Sequence, residues 1–339
     1  MKLLVFLCLC YILNKLVYSQ NTADGWDVYH NNRDISIAEI PGCRAISRLK
    51  GSPSSTSDNI TNIIVIGDIH GEYDGLLENL YNANITKYRN ECEWNDANRN
   101  TLMIQIGDVV DRGQRSHDCY FCLKHLQDTA SNGNNVIRIL GNHCIWWLEG
   151  SFHMKHVNES LQQANEVVSD MKKSILEGKL QVAYSTHHLG VPLLFTHAGL
   201  RNDMLSYINI TDVDQIASYI NSKLLEVVTD CKYTKCSFVH ELFQAGRERG
   251  GRNIGGCTWT DFDVFMKQNT IPKFHQIVGH SIHDRIRASR YLAAIDVDLG
   301  MTHSKKRGFL KIENGRFLAY EKNNNNKWTY RDLSKNICE

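Results

Sequence analysis

The chain has 339 residues, of which 42% are hydrophobic and 22% are charged, and its formal net charge at pH 7 is +1. These values are typical of a globular enzyme, and the length allows one large domain or two small ones. A net charge this close to zero supplies no general attraction to nucleic acid or to an anionic membrane, so we predict neither as a partner.

The N-terminus has the layout of a secretory signal peptide. Lys2 precedes an apolar run from Leu3 to Leu13, and Val17 and Ser19 then occupy the small-residue positions before a cleavage site. The apolar run is too short, and is interrupted too soon by polar residues, to predict stable membrane insertion. We expect residues 1–19 to be removed and the mature protein to be secreted or held in the secretory pathway; an uncleaved signal anchor is the alternative.

Sequons and cysteines agree with that compartment. Asn-x-Ser/Thr triplets begin at Asn59, Asn84, Asn158 and Asn209, which predicts a glycoprotein. Nine cysteines remain after the signal peptide, which predicts disulfides with one odd thiol: Cys43, Cys92, Cys119, Cys122, Cys144, Cys231, Cys236, Cys257 and Cys338. The close pairs 119/122 and 231/236 are spaced like metal clips or redox pairs, but no histidine pair lies near them in the sequence. Disulfides or plain burial are therefore favoured over a zinc site.

The organisation after the signal peptide predicts one catalytic domain. Residues 20–58 are polar and end in the linker-like run "KGSPSSTSDN", and the domain is predicted over residues 59–335. Five apolar strands follow, within "NIIVIGDIHG", "TLMIQIGDVVDRG", "NNVIRILGNH", "VPLLFTHAGL" and "FHQIVGHSIH". Helices are predicted after the first two strands, through most of the segment between His143 and Val191, and from about Asp212 to Ala245. Short strands with an "ENGR" hairpin are predicted from Tyr291 to Tyr330.

Each of the five strands ends in polar residues: Gly-Asp, Gly-Asp, Gly-Asn, Thr-His and Gly-His. Ligands gather at the carboxyl ends of strands in open α/β sheets. Oxygen and imidazole ligands without a thiolate suit two divalent ions such as Mn²⁺, Fe or Zn²⁺. Asp108 could bridge the two ions, with Asp68 and His70 on one side and three ligands on the other, namely Asn142, His197 and His280. Each residue alone is more often a helix cap or a buried histidine, and only their joint occurrence predicts the metal site.

The residues beside these ligands predict a phosphoryl-transfer chemistry. His143 directly follows Asn142 and is expected to protonate the leaving oxygen, with Asp111 orienting its ring. Arg112 offers a forked donor for phosphate oxygens. A pair of divalent ions lowers the pKa of bound water, so we expect direct attack by a metal-bound hydroxide.

The strand-end motifs together resemble those of the calcineurin-like metallophosphoesterases. They are "GDIHG" (67–71), "GDVVDRG" (107–113), "GNH" (141–143), "THAGL" (196–200) and "GHS" (279–281). The Asp-Arg-Gly in the second motif is similar to the phosphoprotein phosphatase group, and "HAG" to its Shewanella-like branch. The resemblance covers about residues 60 to 300. It implies an α/β (α+β) sandwich of two mixed β-sheets flanked by helices, a dinuclear metal site, and the ligand roles given above.

The chain departs from this pattern at several positions. The family's usual Glu after Gly-Asn-His is replaced by Cys144, which is expected to alter support around the metal site rather than remove it. "CTWTDF" (257–262) only loosely resembles the family's Trp-x-Asp element. The second phosphate-binding arginine is predicted among Arg247, Arg249 and Arg252, and Arg247 is preferred.

We therefore interpret the chain as a metal-dependent phosphomonoesterase acting on phosphoproteins or phosphopeptides, with Ser/Thr or Tyr preference left open. The alternative is a nucleotide or dinucleoside-polyphosphate hydrolase of the same superfamily. A nuclease is less favoured because such enzymes usually lack Arg112 and the chain has no basic groove signature. A phosphate-binding protein without activity is disfavoured because every ligand position and His143 are present.

Overall fold

Strands and helices alternate through most of the chain, in the order that the apolar segments predict. The computed structural model describes residues 60–152, 160–231, 233–267, 272–289 and 294–336. The predicted signal peptide, the linker, Cys43, Cys338, and the sequons at Asn59 and Asn158 lie outside the described residues. No helix among the described residues is both long enough and apolar enough to cross a membrane.

The strands in chain order are β1 (Asn62–Ile66), β2 (Thr101–Gln105), β3 (Asn135–Ile139), β4 (Leu180–Gln181), β5 (Ala183–His188), β6 (Val191–Thr196), β7 (His275–Val278), β8 (Arg287–Ala288), β9 (Ala294–Asp296), β10 (Gly308–Glu313), β11 (Arg316–Lys322) and β12 (Trp328–Asp332). The α-helices are α1 (Tyr73–Asn82), α2 (Ser116–Thr129), α3 (Asn142–Leu148), α4 (Leu161–Leu176), α5 (Asn202–Ile208), α6 (Val213–Asp230), α7 (Phe262–Met266) and α8 (Met301–Ser304). Short 3-10 turns cover Glu241–Phe243, Arg247–Arg249 and Leu333–Asn336.

The strands form two mixed sheets, as the resemblance implies. The first has the order β12-β11-β10-β1-β2-β3-β4, and the second β5-β6-β7-β9-β8. Strands β1 to β4 are parallel, as are β6, β7 and β9, while β5, β8 and β10 to β12 add antiparallel neighbours. The C-terminal hairpin is confirmed, since β10 and β11 pair from Gly308↔Glu321 to Glu313↔Arg316.

Alternate side chains of the central strands enter two different cores. On β1, Ile63 and Val65 pack with residues of the second sheet such as Phe195, which forms the layer between the sheets. Ile64 and Ile66 point the other way, into the layer covered by helices α1, α2 and α6. A strand buried on both faces reads as a continuous apolar run, which explains the uninterrupted strand sequences. The parallel strands therefore direct their carboxyl ends to one edge of the sandwich.

The helices on the outer face are fixed by local signals. Ser160 and Gln163 form a capping box at the start of α4, and the Asp212 side chain accepts the Gln215 N–H at the start of α6. The buried residues of α6 include Ile216, Ile220 and Leu224, spaced four apart, so one stripe faces the core.

Two predicted helical segments contain other structure. The segment before Val191 also holds β4 and β5, and the second stretch is α-helical only to Asp230. Cys231 and Cys236 form a disulfide with a Cα–Cα distance of 4.9 Å. Five residues along an α-helix rise about 7.5 Å, so this bridge requires the helix to end and the chain to turn back.

The cysteine prediction is confirmed in part. Besides Cys231–Cys236, Cys122 pairs with Cys92 rather than with its neighbour Cys119. The expectation of one odd thiol is wrong, since three buried thiols among the described residues lie outside the disulfides: Cys119, Cys144 and Cys257. These thiols occupy the helix-covered core, where they pack as small apolar side chains.

Candidate metal centre

Backbone strain is concentrated at the strand ends where the site was predicted. Five predicted site residues have positive φ: His70 (49°), Asp108 (48°), Asp111 (71°), Arg112 (66°) and His280 (74°). Non-glycine residues rarely adopt this conformation, which typically costs about 1–3 kcal/mol and persists only where surrounding structure imposes it. The loops after β1, β2 and β7 are therefore held in conformations that direct these side chains to a common point.

Two glycines allow the chain to approach the buried carboxylates. A Cβ atom at Gly141 would lie 2.1 Å from Asp108 Oδ1, and one at Gly279 would lie 2.3 Å from Asp68 Oδ1. The backbone N–H of His280 also donates to Asp68 Oδ1 at 3.1 Å. The end of β7 is thus bonded directly to the end of β1, which joins the two sheets at the site.

Asp108 lies between two groups of buried side chains whose ligand atoms converge. His70 and His143 form one group with it, and His197 and His280 form the other; within each group the ligand atoms lie within 4.8 Å of one another. Asp108 Oδ2 is 3.6 Å from His70 Nε2 and 3.4 Å from His197 Nε2. Burial alone would raise the pKa of Asp108, but His197 and His143 hold it well below its usual value. Asp108 is therefore the shared carboxylate of both groups.

In the first group the lone pair of His70 faces carboxylates. His70 Nδ1 bonds the Val110 carbonyl at 2.9 Å, so the neutral ring carries its lone pair on Nε2. Burial lowers the pKa of His70 to about 3, which keeps the ring neutral. That nitrogen faces Asp108 and also Asp68 Oδ2 at 3.9 Å. Burial and the neighbouring Asp298 raise the pKa of Asp68 well above its usual value.

In the second group several acceptors face one another. His197 Nδ1 bonds the Ile106 carbonyl at 3.0 Å, and its Nε2 lies 3.0 Å from Asn142 Oδ1 and 3.2 Å from His280 Nδ1. Burial lowers the pKa of His197, but the carboxylates of Asp108 and Asp68 outweigh burial and raise the pKa to about 9. Nε2 of His280 is buried without a hydrogen-bond partner. A single proton on His197 Nε2 can bond to only one or two of these acceptor atoms at a time. A divalent cation placed among them would bind several, so this set of ligand atoms fits a metal.

His143 has different partners from the neighbouring Asn142. Its Nδ1 lies 2.8 Å from Asp111 Oδ2, and its Nε2 lies 2.9 Å from Arg112 Nη2. Because an arginine can only donate, Nε2 of His143 is an acceptor in this arrangement. The fully buried Asp111 also accepts a hydrogen bond from Trp147 Nε1 through its other oxygen. The structure thus brings together the three residues predicted as acid, orienting carboxylate and phosphate donor.

Among the three candidate arginines, the described contacts link Arg249 to the site and not the preferred Arg247. Arg249 Nη2 lies 2.8 Å from Asp261 Oδ2 and 3.1 Å from Ser281 Oγ, directly after His280. Its charge adds to burial and to His197 in lowering the pKa of His280. Arg247 is exposed and begins the same short 3-10 turn. The glycine-rich sequence around these arginines has no periodicity, so it did not indicate that Arg249 rather than Arg247 contacts the site.

Two tryptophans complete the surroundings: the sequence analysis did not assign Trp146 to the site, and it indicated Trp259 only through the loose resemblance of "CTWTDF". Trp146 lies 4.7 Å from the His143 ring, Trp259 lies 5.7 Å from the His280 ring, and the two tryptophan rings are 5.2 Å apart. Both tryptophans are partly buried. The two adjacent tryptophans after "GNHCI" are the sequence feature from which Trp146 could have been identified.

A further buried carboxylate at a strand end lies close enough to Asp68 to influence its pKa. Asp298 is buried, and burial raises its pKa to about 6. The run "DVDLG" after β9 repeats the strand-end pattern of polar residues, which could have identified it. Cys144 is also buried, and burial together with Asp108 raises the pKa of its thiol to about 12, so it contributes a neutral side chain where the resemblance expects Glu.

Comparison with known proteins agrees with the resemblance. A family model described as calcineurin-like phosphoesterase matches residues 61–254. Shewanella-like protein phosphatase 1 of Plasmodium berghei is 30% identical over 229 residues, which are 63% of this chain and 56% of that protein. An asymmetrical bis(5'-nucleosyl)-tetraphosphatase of Halalkalibacterium halodurans is 25% identical over 152 residues, 41% of this chain and 57% of that protein.

Solved structures confirm the fold. A cold-active protein-tyrosine phosphatase of a psychrophilic Shewanella species superposes with a TM-score of 0.56 at 17% identity, covering 83% of each chain. The chain spans about half the length of the curated relatives it matches.

Proposed function

The chain belongs to the calcineurin-like phosphoesterase family, and from that premise we propose that it is a metal-dependent phosphomonoesterase acting on phosphoproteins or phosphopeptides. The observation that carries the proposal is Asp108, shared by two buried groups of converging ligand atoms with His143 beside them. Similarity to a protein phosphatase of Plasmodium berghei supports a phosphoprotein substrate.

We propose that six side chains hold two divalent ions, of Mn, Fe or Zn: Asp68, His70, Asp108, Asn142, His197 and His280. When bound, such ions neutralise phosphate charge and lower the pKa of water, so that a nucleophile is available near neutral pH. Asp108 would contribute its carboxylate to both ions, because it belongs to both groups of converging ligand atoms. The hydrogen bonds from His70 and His197 to backbone carbonyls fix which ring nitrogen remains for the metal.

The other residues then act on the phosphate and on the leaving group. Arg112 binds phosphate oxygens through its guanidinium, which withdraws its N–H from His143 Nε2. The freed Nε2 can carry a proton and deliver it to the leaving oxygen, while Nδ1–H stays bonded to Asp111. Trp147 positions Asp111, and therefore the His143 ring, by occupying the second carboxylate oxygen.

Arg249 is the better candidate for the second phosphate contact. Its guanidinium is held by Asp261 and by Ser281, which directly follows His280. Its side chain is 31% exposed, which leaves donors available to a bound phosphate. We therefore replace Arg247 with Arg249 in the proposed substrate-binding set.

The paired tryptophans support a preference for phosphotyrosine over phosphoserine. A leaving group that accepts the proton of His143 lies next to the Trp146 ring, which contacts His143 edge to face. Trp259 extends this apolar wall toward His280. Aromatic rings in such contact add about 0.5–1.5 kcal/mol beyond area burial, a gain that a serine leaving group cannot make.

Localisation follows from the N-terminal sequence and from the described sequons. Asn84 and Asn209 are exposed, so both can be glycosylated, and the two disulfides are compatible with an oxidising compartment. We propose that residues 1–19 are cleaved, that residues 59–335 form the catalytic domain, and that the protein is a secreted glycoprotein. Mass spectrometry of protein from a secreting host checks this, and an intact Met1 would contradict it.

A substrate panel tests the proposed activity. The secreted protein, supplied with Mn²⁺, Fe²⁺ or Zn²⁺, is assayed against phosphoserine, phosphothreonine and phosphotyrosine peptides and against nucleotides and dinucleoside polyphosphates. We expect phosphopeptides to give the highest kcat/KM. The similarity to a bis(5'-nucleosyl)-tetraphosphatase keeps the nucleotide arm informative, and faster hydrolysis of dinucleoside polyphosphates would favour that second function.

A further inference from the structure

The short helix α3 carries three residues of the site, namely Asn142, His143 and Trp146. It has only seven residues, and an isolated helix of that length is not stable in water. Its N-terminal end is tied to the site, because the His143 backbone N–H donates to Asp108 Oδ1 at 2.9 Å. The position of the His143 ring therefore also depends on what fixes the C-terminal end.

That end is bonded to the segment that follows α6. The Cys236 N–H donates to the Leu148 carbonyl at 3.0 Å, and the Phe238 N–H donates to Glu149 Oε1 at 3.1 Å. Carbonyls in the last turn of a helix have no partner inside the helix, so the bond from Cys236 caps α3 from outside. Phe238 is 1% exposed and packs against Phe243, which fixes the segment in the core. We call Cys231, Cys236 and Phe238 the clamp.

A disulfide holds the clamp in place. Cys231 follows the last residue of α6, and its bond to Cys236 folds the chain back onto α3. Lys172 on α4 donates to the carbonyls of Cys231 and Thr234. Helices α4 and α6, which are both packed on the core, thus support the clamp, and the disulfide joins that support to the residue that caps α3.

We propose that the Cys231–Cys236 disulfide is a redox-dependent positioning device for His143. Reduction by two thiols, or by a phosphine and one water molecule, breaks the S–S bond, adds two electrons and two protons, and leaves two cysteine thiols; the two thiols become a disulfide, or the phosphine takes the oxygen of water and becomes a phosphine oxide. Cys236 then loses its covalent cross-link to Cys231, and the turn between them is held by the backbone and by the hydrogen bonds at the Cys231 and Thr234 carbonyls. The cap on α3 weakens, and the His143 ring is held less firmly against Asp111.

The second disulfide supplies a matched control. Cys92–Cys122 joins α2 to the segment between α1 and β2, and Cys92 Sγ lies 3.6 Å from the Tyr73 hydroxyl. Its contacts lie on the α1–α2 face of the helix layer. Removing Cys92–Cys122 removes one cross-link, just as removing Cys231–Cys236 does. It does not disturb the hydrogen bond that caps α3.

The experiment compares C231S/C236S with C92S/C122S in the metal-loaded protein. We expect C231S/C236S to lower kcat on a phosphoserine peptide roughly tenfold, because small misplacement of a catalytic group is costly. On p-nitrophenyl phosphate, whose leaving group needs little protonation, the loss should be at most about twofold. The control variant should show neither loss. Equal losses on both substrates, or the same pattern in both variants, would show general destabilisation and overturn the proposal.

Reduction provides the reversible version of the test. Tris(2-carboxyethyl)phosphine should reproduce the selective kcat loss in wild type and in C92S/C122S, and reoxidation with oxidised glutathione should restore activity. C231S/C236S should not respond. A redox response that persists in C231S/C236S would assign it to other cysteines.

The activity measurements rest on the proposed function, but hydrogen exchange does not, so it tests the inference independently. Amides of α3 and of residues 149–151 should exchange faster in C231S/C236S than in C92S/C122S, whether or not a substrate has been found. Unchanged exchange in α3 would overturn the proposal. Faster exchange in a protein with no activity on any phosphate ester would retain the positioning role and reject the proposed function.

Discussion

The two sides of the site are built differently. On the side of β1 and β2, the chain supplies Asp68, His70 and Asp108 directly after strands, from backbone that is held at positive φ at the last two. On the other side, Arg249 comes from a short 3-10 turn and Trp259 from a loop, and both are held through side-chain contacts with Asp261, Ser281 and His280. If the proposed roles hold, the sheet edge fixes the metal ligands together with Arg112, whereas the loops on the other side fix only contacts to substrate. Changes to Asp68, His70 or Asp108 on the first side should remove metal, and changes on the second should alter only substrate use.

The largest expected effect is that of Asp108→Asn on the sheet-edge side. Loss of a residue that merely supports a metal ligand costs roughly 10–100-fold, and Asp108 serves both ligand groups, so activity should fall by more than about 10³-fold on every phosphomonoester. Initial rates at saturating metal measure it. Retention of a tenth of the activity would break the distinction between the two sides.

His143→Gln should show that neighbouring residues on α3 have separate roles. The variant keeps the backbone bond to Asp108 and loses the proton donor, so kcat on a phosphoserine peptide should fall roughly 10²–10⁴-fold. The loss on p-nitrophenyl phosphate should be much smaller, since that leaving group needs little protonation. Metal analysis is the control, because loss of an ion would make His143 a ligand, which its distance to His70 and Asp108 also permits.

Arg249→Ala tests the loop side. Removing a charge-assisted contact to phosphate should raise KM or lower kcat/KM roughly 10-fold while both ions remain bound. Arg247→Ala is the matched control from the same 3-10 turn and should stay within about twofold of wild type. A larger loss from Arg247→Ala than from Arg249→Ala would restore the interpretation that the sequence first favoured.

Trp146→Leu should give the smallest effect and the most selective one. Loss of an aromatic contact worth about 0.5–1.5 kcal/mol lowers kcat/KM for a phosphotyrosine peptide roughly 2–12-fold, with little change for phosphoserine. Trp328→Phe, on β12 far along the first sheet, is the control. Equal losses on the two peptides would assign Trp146 to packing around His143 rather than to the leaving group.

The same contrast explains how much could be predicted from the sequence. Apolar strands closed by Gly-Asp, Gly-Asn or Gly-His are local patterns, and parallel strands bring their ends together, so the ligand set could be predicted from the residues, whereas the two-sheet sandwich was implied by the family resemblance of the motifs. The partners of Asp111 and Arg249 depend on contacts between distant segments: Trp147 lies 36 residues from Asp111, and Ser281 lies 32 residues from Arg249. No local period encodes such contacts. The end of α6 at Asp230 was missed because a disulfide, rather than a breaker residue, turns the chain.

The metal content of the purified protein tests the central claim most directly. After equilibration with Mn²⁺ or Zn²⁺ and removal of free metal, elemental analysis should find two ions per wild-type chain. Arg249→Ala should also retain two, whereas Asp108→Asn should retain fewer than one because both ligand groups lose their shared carboxylate. Two ions in Asp108→Asn, or a wild-type chain that binds none while hydrolysing phosphomonoesters, would contradict the account of the site.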